Sequence, residues 1–189
     1  MPEPVLTVAN QLTFLRLGLA PLLVVLVLSR EPTWAFVVFV VAAATDALDG
    51  LVARHGSQET TLGAMLDPVA DKILMGSAYV CLTWVPGLLC TVPVWLTVTL
   101  LFRDAVIIMT VALVNLTVER RVFRPSWLGK GATALQVLTA GLVLLANALG
   151  DCPPALRWLF WLTLVTTVAS ALHYVHKASG GRPESGEKA

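Results

Sequence analysis

Four aspartates are the residues of this sequence whose type and spacing could do chemistry. Asp46 and Asp49 are three residues apart in one apolar segment. Asp67 and Asp71 are four residues apart in the next apolar segment. Either spacing puts both carboxylates on one face of a helix. Because the link between the two segments is short, we expect antiparallel neighbouring helices whose four carboxylates converge at one end.

A cluster of four carboxylates needs positive charge nearby, since like charges repel strongly in a medium of low dielectric constant. Divalent cations supply that charge economically, and all-oxygen ligands suit Mg²⁺, Mn²⁺ or Ca²⁺ rather than zinc. Four carboxylates are enough to hold two ions that bridge the phosphates of a ligand. The alternative is two helix-end pairs that only reach water or contact Lys72 and Arg54.

Small residues and one arginine close to the carboxylates indicate the kind of ligand. Gly50 and Ala53 remove bulk from one helix face, and Gly63 clears space opposite. Arg54 places a guanidinium where it suits a phosphate. Close helix packing would explain each small residue taken alone. Together these residues predict a nucleotide diphosphate held through metal ions, with its base against the glycine.

The elements that must position these residues are strongly apolar. Of 189 residues, 57% are hydrophobic and 13% are charged, against about 25% charged residues in an ordinary soluble domain. The mean hydropathy is +0.78. This balance excludes a soluble globular domain and a disordered chain. The net charge of +1, without a basic stripe, excludes a nucleic-acid-binding protein. The composition therefore predicts an integral membrane protein.

Six apolar stretches predict an all-α fold with six transmembrane helices, since each crossing needs about 20 apolar residues. The stretches cover residues 12–29, 33–53, 62–84, 88–116, 131–149 and 156–175. Residues 1–176 are expected to form one membrane domain. Residues 177–189 are polar, with two glycines and a proline, and are expected to be a disordered tail.

The basic residues predict the orientation of the helices. Of 13 lysines and arginines, only Arg30 and Arg157 fall in the loops opposite the two termini. Because positive residues accumulate on the cytoplasmic side, both termini and the carboxylates are expected to face the cytoplasm.

Several basic residues are candidate ligands for a second phosphate. Arg103 and Asp104 form an ion pair inside the fourth stretch, which either neutralises itself at a helix contact or lets Arg103 bind an acceptor or lipid phosphate. Arg120, Arg124 and Lys130 belong to a basic loop that suits the same phosphate, or that only touches anionic lipid.

Three cysteines complete the inventory of reactive groups. Cys81, Cys90 and Cys152 are an odd number, at spacings typical of neither a disulfide framework nor a zinc site. We therefore expect them to serve as small apolar residues in the core.

The aspartates and the residues between them resemble the complete signature of the CDP-alcohol phosphatidyltransferases. The matching residues are Asp46, Asp49, Gly50, Ala53, Arg54, Gly63, Asp67 and Asp71. A looser similarity to the phosphatidylglycerophosphate synthases and cardiolipin synthases of this family covers about residues 5–175. It includes Asn10 to Arg16 at the start of the first span and Gly129-Lys130 ahead of the fifth.

The resemblance implies six transmembrane helices in a homodimer and transfer of a phosphatidyl group from CDP-diacylglycerol to an alcohol, with release of CMP. It implies that two Mg²⁺ or Mn²⁺ ions are held by Asp46, Asp49, Asp67 and Asp71. It makes Asp71 the general base toward the acceptor hydroxyl. It places CDP against Asp46, Asp49, Gly50, Ala53, Arg54 and Gly63.

The identity of the acceptor stays open at this point. The pair Arg103-Asp104 is closer to the cardiolipin synthases, which use phosphatidylglycerol. Phosphatidylglycerophosphate synthases typically show Arg-Glu here and a second arginine two turns later, and residues 107–115 contain none. Glycerol 3-phosphate is therefore the less favoured of two acceptors. A non-enzymatic divalent-cation carrier or channel built on the same carboxylates is the alternative function, but the middles of spans two and three offer no polar path.

Overall fold

The structure, a computed structural model, describes residues 8–52, 61–117 and 127–179, with side chains for residue 11 and for residues 13–46, 69–109 and 127–174. Regular structure in this part of the chain is entirely helical, which confirms the predicted all-α fold. The six helices are α1 (Val8–Leu28), α2 (Pro32–Val52), α3 (Thr61–Trp84), α4 (Val94–Thr117), α5 (Trp127–Leu149) and α6 (Leu156–Ser179). All six predicted helices are present.

Local sequence determines where several helices begin and end. Pro32 is the first residue of α2, and Pro93 directly precedes α4, positions where the missing N–H of proline costs nothing. Helix α1 ends in a Schellman turn, with Arg30 at φ 57° and the Glu31 N–H donating to the Leu26 carbonyl at 2.9 Å. Helix α4 starts six residues later than the predicted stretch because residues 85–93 form a turn around Gly87, whose φ is +83°.

Helix α1 lies between the two helices that carry the carboxylates. It packs against both α2 and α3, which are not themselves packed together over their described residues. The prediction that α2 and α3 are neighbours at the carboxylate end stays a prediction, because the side chains of residues 47–52 and 61–68 are not described. Helix α5 packs against α2 and α6, and α4 packs mainly against α6.

One end of the bundle, where α1, α3 and α5 finish, is covalently tied. We call it the disulfide end, because Cys90 in the α3–α4 turn is bonded to Cys152 in the α5–α6 loop. The expectation that all three cysteines are apolar filler is wrong for this pair, since folding brings together two loops that are 62 residues apart in sequence. It is confirmed for Cys81, a free and buried cysteine.

An asparagine reinforces the same end. Asn147 Oδ1 accepts hydrogen bonds from the backbone N–H groups of Leu89 and Cys90, at 2.9 and 3.1 Å. Asn147 Nδ2 donates to the Cys90 carbonyl at 2.8 Å. The side chain thus replaces a missing backbone partner for the turn that leads into α4.

Buried hydroxyls join α5 to α6. Thr139 and Thr163 share a hydrogen bond of 2.7 Å between their Oγ1 atoms. One turn nearer the opposite end, Gln136 Nε2 donates to Thr167 Oγ1 at 3.2 Å. We call these four residues the polar seam. Hydrogen bonds across apolar helices stabilise their packing where hydrophobic burial alone gives little preference.

The outer surface of the bundle is apolar. Phe102, Met109 and Leu172 are among many large hydrophobic side chains that are exposed there. In the part of the chain that the structure describes, α5 is the one helix both long and apolar enough to cross a membrane, and the apolar portions Thr13–Leu28 and Pro32–Asp46 are shorter. Six membrane crossings therefore stay a prediction.

Candidate functional site

A charged cavity opens at the end of the bundle opposite the disulfide, which we call the site end. Its volume is about 600 Å³. Four helices contribute polar lining residues, namely Asp46 from α2, Arg103 from α4, Lys130 and Thr133 from α5, and Ser170 and Tyr174 from α6. The structure thus brings together one residue of the predicted metal site and two of the predicted phosphate ligands.

Asp46 projects from the second helix into this cavity with its side chain about half exposed. Its Oδ1 atom lies 3.1 Å from Nη2 of Arg16, an arginine of α1 that is fully buried. A charge buried in an apolar bundle requires a partner, and the Asp46 carboxylate supplies one for the buried arginine. Part of the positive charge expected from metal ions is therefore supplied by α1.

Arg103 is held by partners on both sides of its guanidinium. Nη1 donates to Asp104 Oδ1 at 2.8 Å, and Nη2 donates to Ser170 Oγ at 3.2 Å. Asp104 Oδ2 in turn lies 2.8 Å from Lys72 Nζ. The arginine is buried and lines the cavity, whereas its role in binding an acceptor or lipid phosphate stays a prediction. The alternative interpretation, an Arg103–Asp104 pair that neutralises itself, is incomplete because the Asp104 carboxylate contacts two cations, Arg103 and Lys72.

Lys130 lies at the mouth of the same cavity, on the first turn of α5. It is exposed, and its ammonium group lies 5.6 Å from the ring centre of Trp127, over the ring. That distance is typical of a cation–π contact. The contact leaves the ammonium group accessible to an anion entering the cavity.

Several predicted site residues fall where the structure describes the backbone alone or nothing. Asp49 and Gly50 are in α2, and Gly63 and Asp67 are in α3, but their side chains are not described. Ala53, Arg54, Arg120 and Arg124 lie outside the described residues. Asp71 is described as a half-buried residue of α3. The convergence of the four carboxylates and the CDP contacts therefore stay predictions.

The described part of the predicted metal site fits a hard divalent cation. Asp46 offers carboxylate oxygen to an open polar cavity, which is the donor type that Mg²⁺ and Mn²⁺ prefer. Among the described side chains no group of three or more His, Cys, Asp or Glu is close enough to hold a metal. The predicted ligand set also includes Asp49 and Asp67, whose side chains are not described, so the metal site stays a prediction.

Three further residues of the site lie outside the aspartate signature. Arg16 is visible in sequence as an arginine within an apolar stretch, which is a sufficient reason to look for an acidic partner. Ser170 and Tyr174 are single hydroxyl-bearing residues near the end of a long apolar helix. Only the packing of α6 against α4 assigns Ser170 to Arg103.

An all-helical bundle with an apolar exterior and an internal charged cavity has the architecture of an integral membrane protein with a polar binding site. The chain belongs to the CDP-alcohol phosphatidyltransferase family, whose model matches residues 6–169. Membership confirms the resemblance of the aspartate signature and places the chain among membrane proteins.

Proteins from distant organisms share this similarity. The chain is 34% identical over 187 residues to cardiolipin synthase (CMP-forming) of Homo sapiens, covering 90% of this chain and 61% of that protein. It is 34% identical over 187 residues to cardiolipin synthase (CMP-forming) of Streptomyces coelicolor, covering 92% and 83%. It is 35% identical over 179 residues to a probable phosphatidylglycerophosphate synthase of Mycobacterium tuberculosis, covering 90% and 80%. The chain thus spans about three fifths of the human protein's length.

Proposed function

We propose that this protein is a phosphatidyltransferase of phospholipid biosynthesis, which transfers a phosphatidyl group from CDP-diacylglycerol to an alcohol and releases CMP. The observation that carries the proposal is the cavity in which Asp46 of the family signature faces Arg103 and Lys130. It joins a carboxylate suited to a metal-bound diphosphate to cations suited to a second phosphate. The relatives named above carry out, by name, reactions of this class.

The donor side of the proposed site is the aspartate signature. Asp46, Asp49, Asp67 and Asp71 would hold two Mg²⁺ or Mn²⁺ ions, and CDP would lie against Gly50, Ala53, Arg54 and Gly63. Bound ions would neutralise charge on the diphosphate and on the departing CMP. Support comes from the match to the family and from the oxygen-donor chemistry of Asp46.

The reaction needs one proton acceptor beside the attacking hydroxyl, and we assign that role to Asp71. The acceptor oxygen forms a bond to the phosphorus of the phosphatidyl group, and the bond from that phosphorus to the oxygen of CMP breaks. The hydroxyl proton passes to the Asp71 carboxylate. Arg103, Lys130, Arg120 and Arg124 are assigned to the acceptor or lipid phosphate, where their charge offsets that of the incoming anion.

We propose phosphatidylglycerol as the acceptor, with glycerol 3-phosphate as the second candidate. The cavity shares Ala43 and Val137 with an apolar groove of about 430 Å³ between α2 and α5. We propose that this groove gives acyl chains a path from the apolar exterior to the charged residues. Two lipid substrates, rather than one, use such a path in cardiolipin synthesis.

We propose that the site end faces the cytoplasm and that six helices cross the membrane. Besides the distribution of arginine and lysine, the Cys90–Cys152 disulfide supports this orientation, because disulfides persist in oxidising compartments and are rare in the cytosol. The disulfide lies at the end opposite the cavity. A homodimer is proposed from the family resemblance.

The test is a CMP-release assay with the purified chain, CDP-diacylglycerol and Mg²⁺ or Mn²⁺. Glycerol 3-phosphate, phosphatidylglycerol, inositol phosphate and serine are supplied separately, and the lipid product is identified by mass spectrometry. We expect CMP and cardiolipin with phosphatidylglycerol. Asp151→Asn, an exposed acid at the disulfide end, is the control and should be fully active. No CMP with any acceptor contradicts the function, and metal flux in proteoliposomes without CDP-diacylglycerol would support the cation carrier instead.

A further inference from the structure

We infer that Asp104 is a positioning residue, which holds the Arg103 guanidinium in the orientation that receives the acceptor's anionic group. The inference rests on the proposed function and deepens it, because it gives a role to a carboxylate outside the aspartate signature. Asp104 does not line the large cavity; Arg103 does. The carboxylate therefore acts on a ligand through the arginine.

The geometry gives the carboxylate two cations to hold. Its Oδ1 accepts from Arg103 Nη1 and its Oδ2 lies beside Lys72 Nζ, both at 2.8 Å. Lys72 belongs to α3 and Asp104 to α4, so the contact also joins two helices. Both distances are those of strong charge-assisted hydrogen bonds, which restrict the groups that make them.

One carboxylate in this cluster is shared between two cations. Asp104 contacts both Lys72 and Arg103, so neither cation has that carboxylate to itself. Arg103 is only 6% exposed, and its Nε atom is buried with no hydrogen-bond partner among the described residues. Because Arg103 also lines the cavity, an anionic group that enters it, such as a phosphate, would meet the guanidinium.

The orientation of the arginine depends on two anchors. Asp104 fixes one edge of the guanidinium, and Ser170 of α6 accepts from Nη2 on the other side. An arginine that is held before its ligand arrives loses less conformational freedom on binding. Removing either anchor should therefore weaken acceptor binding more than CDP-diacylglycerol binding.

The experiment measures initial rates of CMP release by the full chain over a range of phosphatidylglycerol and of CDP-diacylglycerol concentrations. For Asp104→Asn we expect the KM for phosphatidylglycerol to rise about tenfold. A change of this size corresponds to the loss of one hydrogen bond between charged groups, here the one that orients Arg103. The KM for CDP-diacylglycerol should change less than about twofold. Asp104→Glu, which keeps the charge, should restore part of the affinity. Thr99→Val, which removes a hydroxyl bonded only within α4, should behave as wild type.

A double-mutant cycle separates positioning from a general structural role. If Asp104 acts through Arg103, then Asp104→Asn added to Arg103→Gln should raise the KM for phosphatidylglycerol no further. An equal rise in both backgrounds, or an unchanged KM in the single variant, overturns the inference while leaving the proposed function intact. Should Asp104→Asn fail to fold, Asp104→Ser takes its place in both backgrounds by the same KM criterion. No CMP from the wild-type chain refutes the proposed function and this inference together.

Discussion

Asn147 offers the sharpest quantitative test of how the bundle is held together. Replacing it with leucine removes the partners of three backbone groups in the α3–α4 turn. Leu89 is exposed, so its N–H regains a partner in water. Cys90 is buried, at 2% exposure, so its N–H and carbonyl lose theirs.

The cost follows from those two groups. A buried polar group without a partner costs about 1–3 kcal/mol, so two cost about 4 kcal/mol. Leucine fills the same space and returns about 1 kcal/mol of apolar burial. We expect Asn147→Leu to lower the free energy of unfolding by about 3 kcal/mol, which is a fall in Tm of about 6–12 °C for a chain of this size.

A thiol-reactive dye measures this change directly. With the disulfide intact, Cys81 is the free thiol, and it is buried until the bundle opens. Thermal unfolding in detergent is followed by dye fluorescence under non-reducing conditions. Thr166→Val, which loses a hydroxyl bonded only within α6, is the control and should match wild type. If the Tm of Asn147→Leu is lower than that of wild type by less than about 2 °C, the assigned role of the amide is refuted.

Three further predictions concern the site and the disulfide. Asp71→Asn should abolish CMP release while Tm stays within about 2 °C of wild type, and a fully active variant contradicts its role as base. Removal of divalent ions with EDTA should stop CMP release, and Mg²⁺ or Mn²⁺ should restore it; activity that survives EDTA argues against the metal site. Cys152→Ser should lower stability by about 2–4 kcal/mol, measured by thermal unfolding. In intact cells the reverse variant, Cys90→Ser, should leave the thiol of the exposed Cys152 open to an impermeant maleimide added outside, and labelling only after lysis contradicts the proposed orientation.

The helices could be predicted from sequence because the same residues that make a segment apolar also set its length and its ends. Proline and polar residues interrupt each apolar stretch, and the helices begin or end within a few residues of those interruptions. The start of α4 was the largest error. Residues 88–93 are mostly apolar, yet the turn around Gly87 and the Cys90 bond hold them out of the helix.

The partners of the site residues could not be predicted in the same way. A spacing of three or four residues places Asp46 on a helix face, but nothing local says that α1 will lie beside that face and present Arg16. Cys90 and Cys152 are also far apart in sequence, by 62 residues, so their pairing depends on which loops the fold brings together. Contacts of this kind are properties of the helix arrangement, whereas the aspartate signature is a property of one short segment.

The polar seam between α5 and α6 has a consequence for motion. Thr139 Oγ1 also lies 2.7 Å from the Leu135 carbonyl, and Thr163 Oγ1 lies 2.8 Å from the Leu159 carbonyl, each within its own helix. If the contact between the two threonines breaks, each hydroxyl keeps a partner, so no polar group is stranded in an apolar medium. The threonine contact of the seam can therefore break without a polar penalty, whereas the buried Gln136 amide would lose its Thr167 partner. Displacements of α6 that keep the Gln136–Thr167 contact are therefore the ones that cost little energy while a substrate enters or a product leaves.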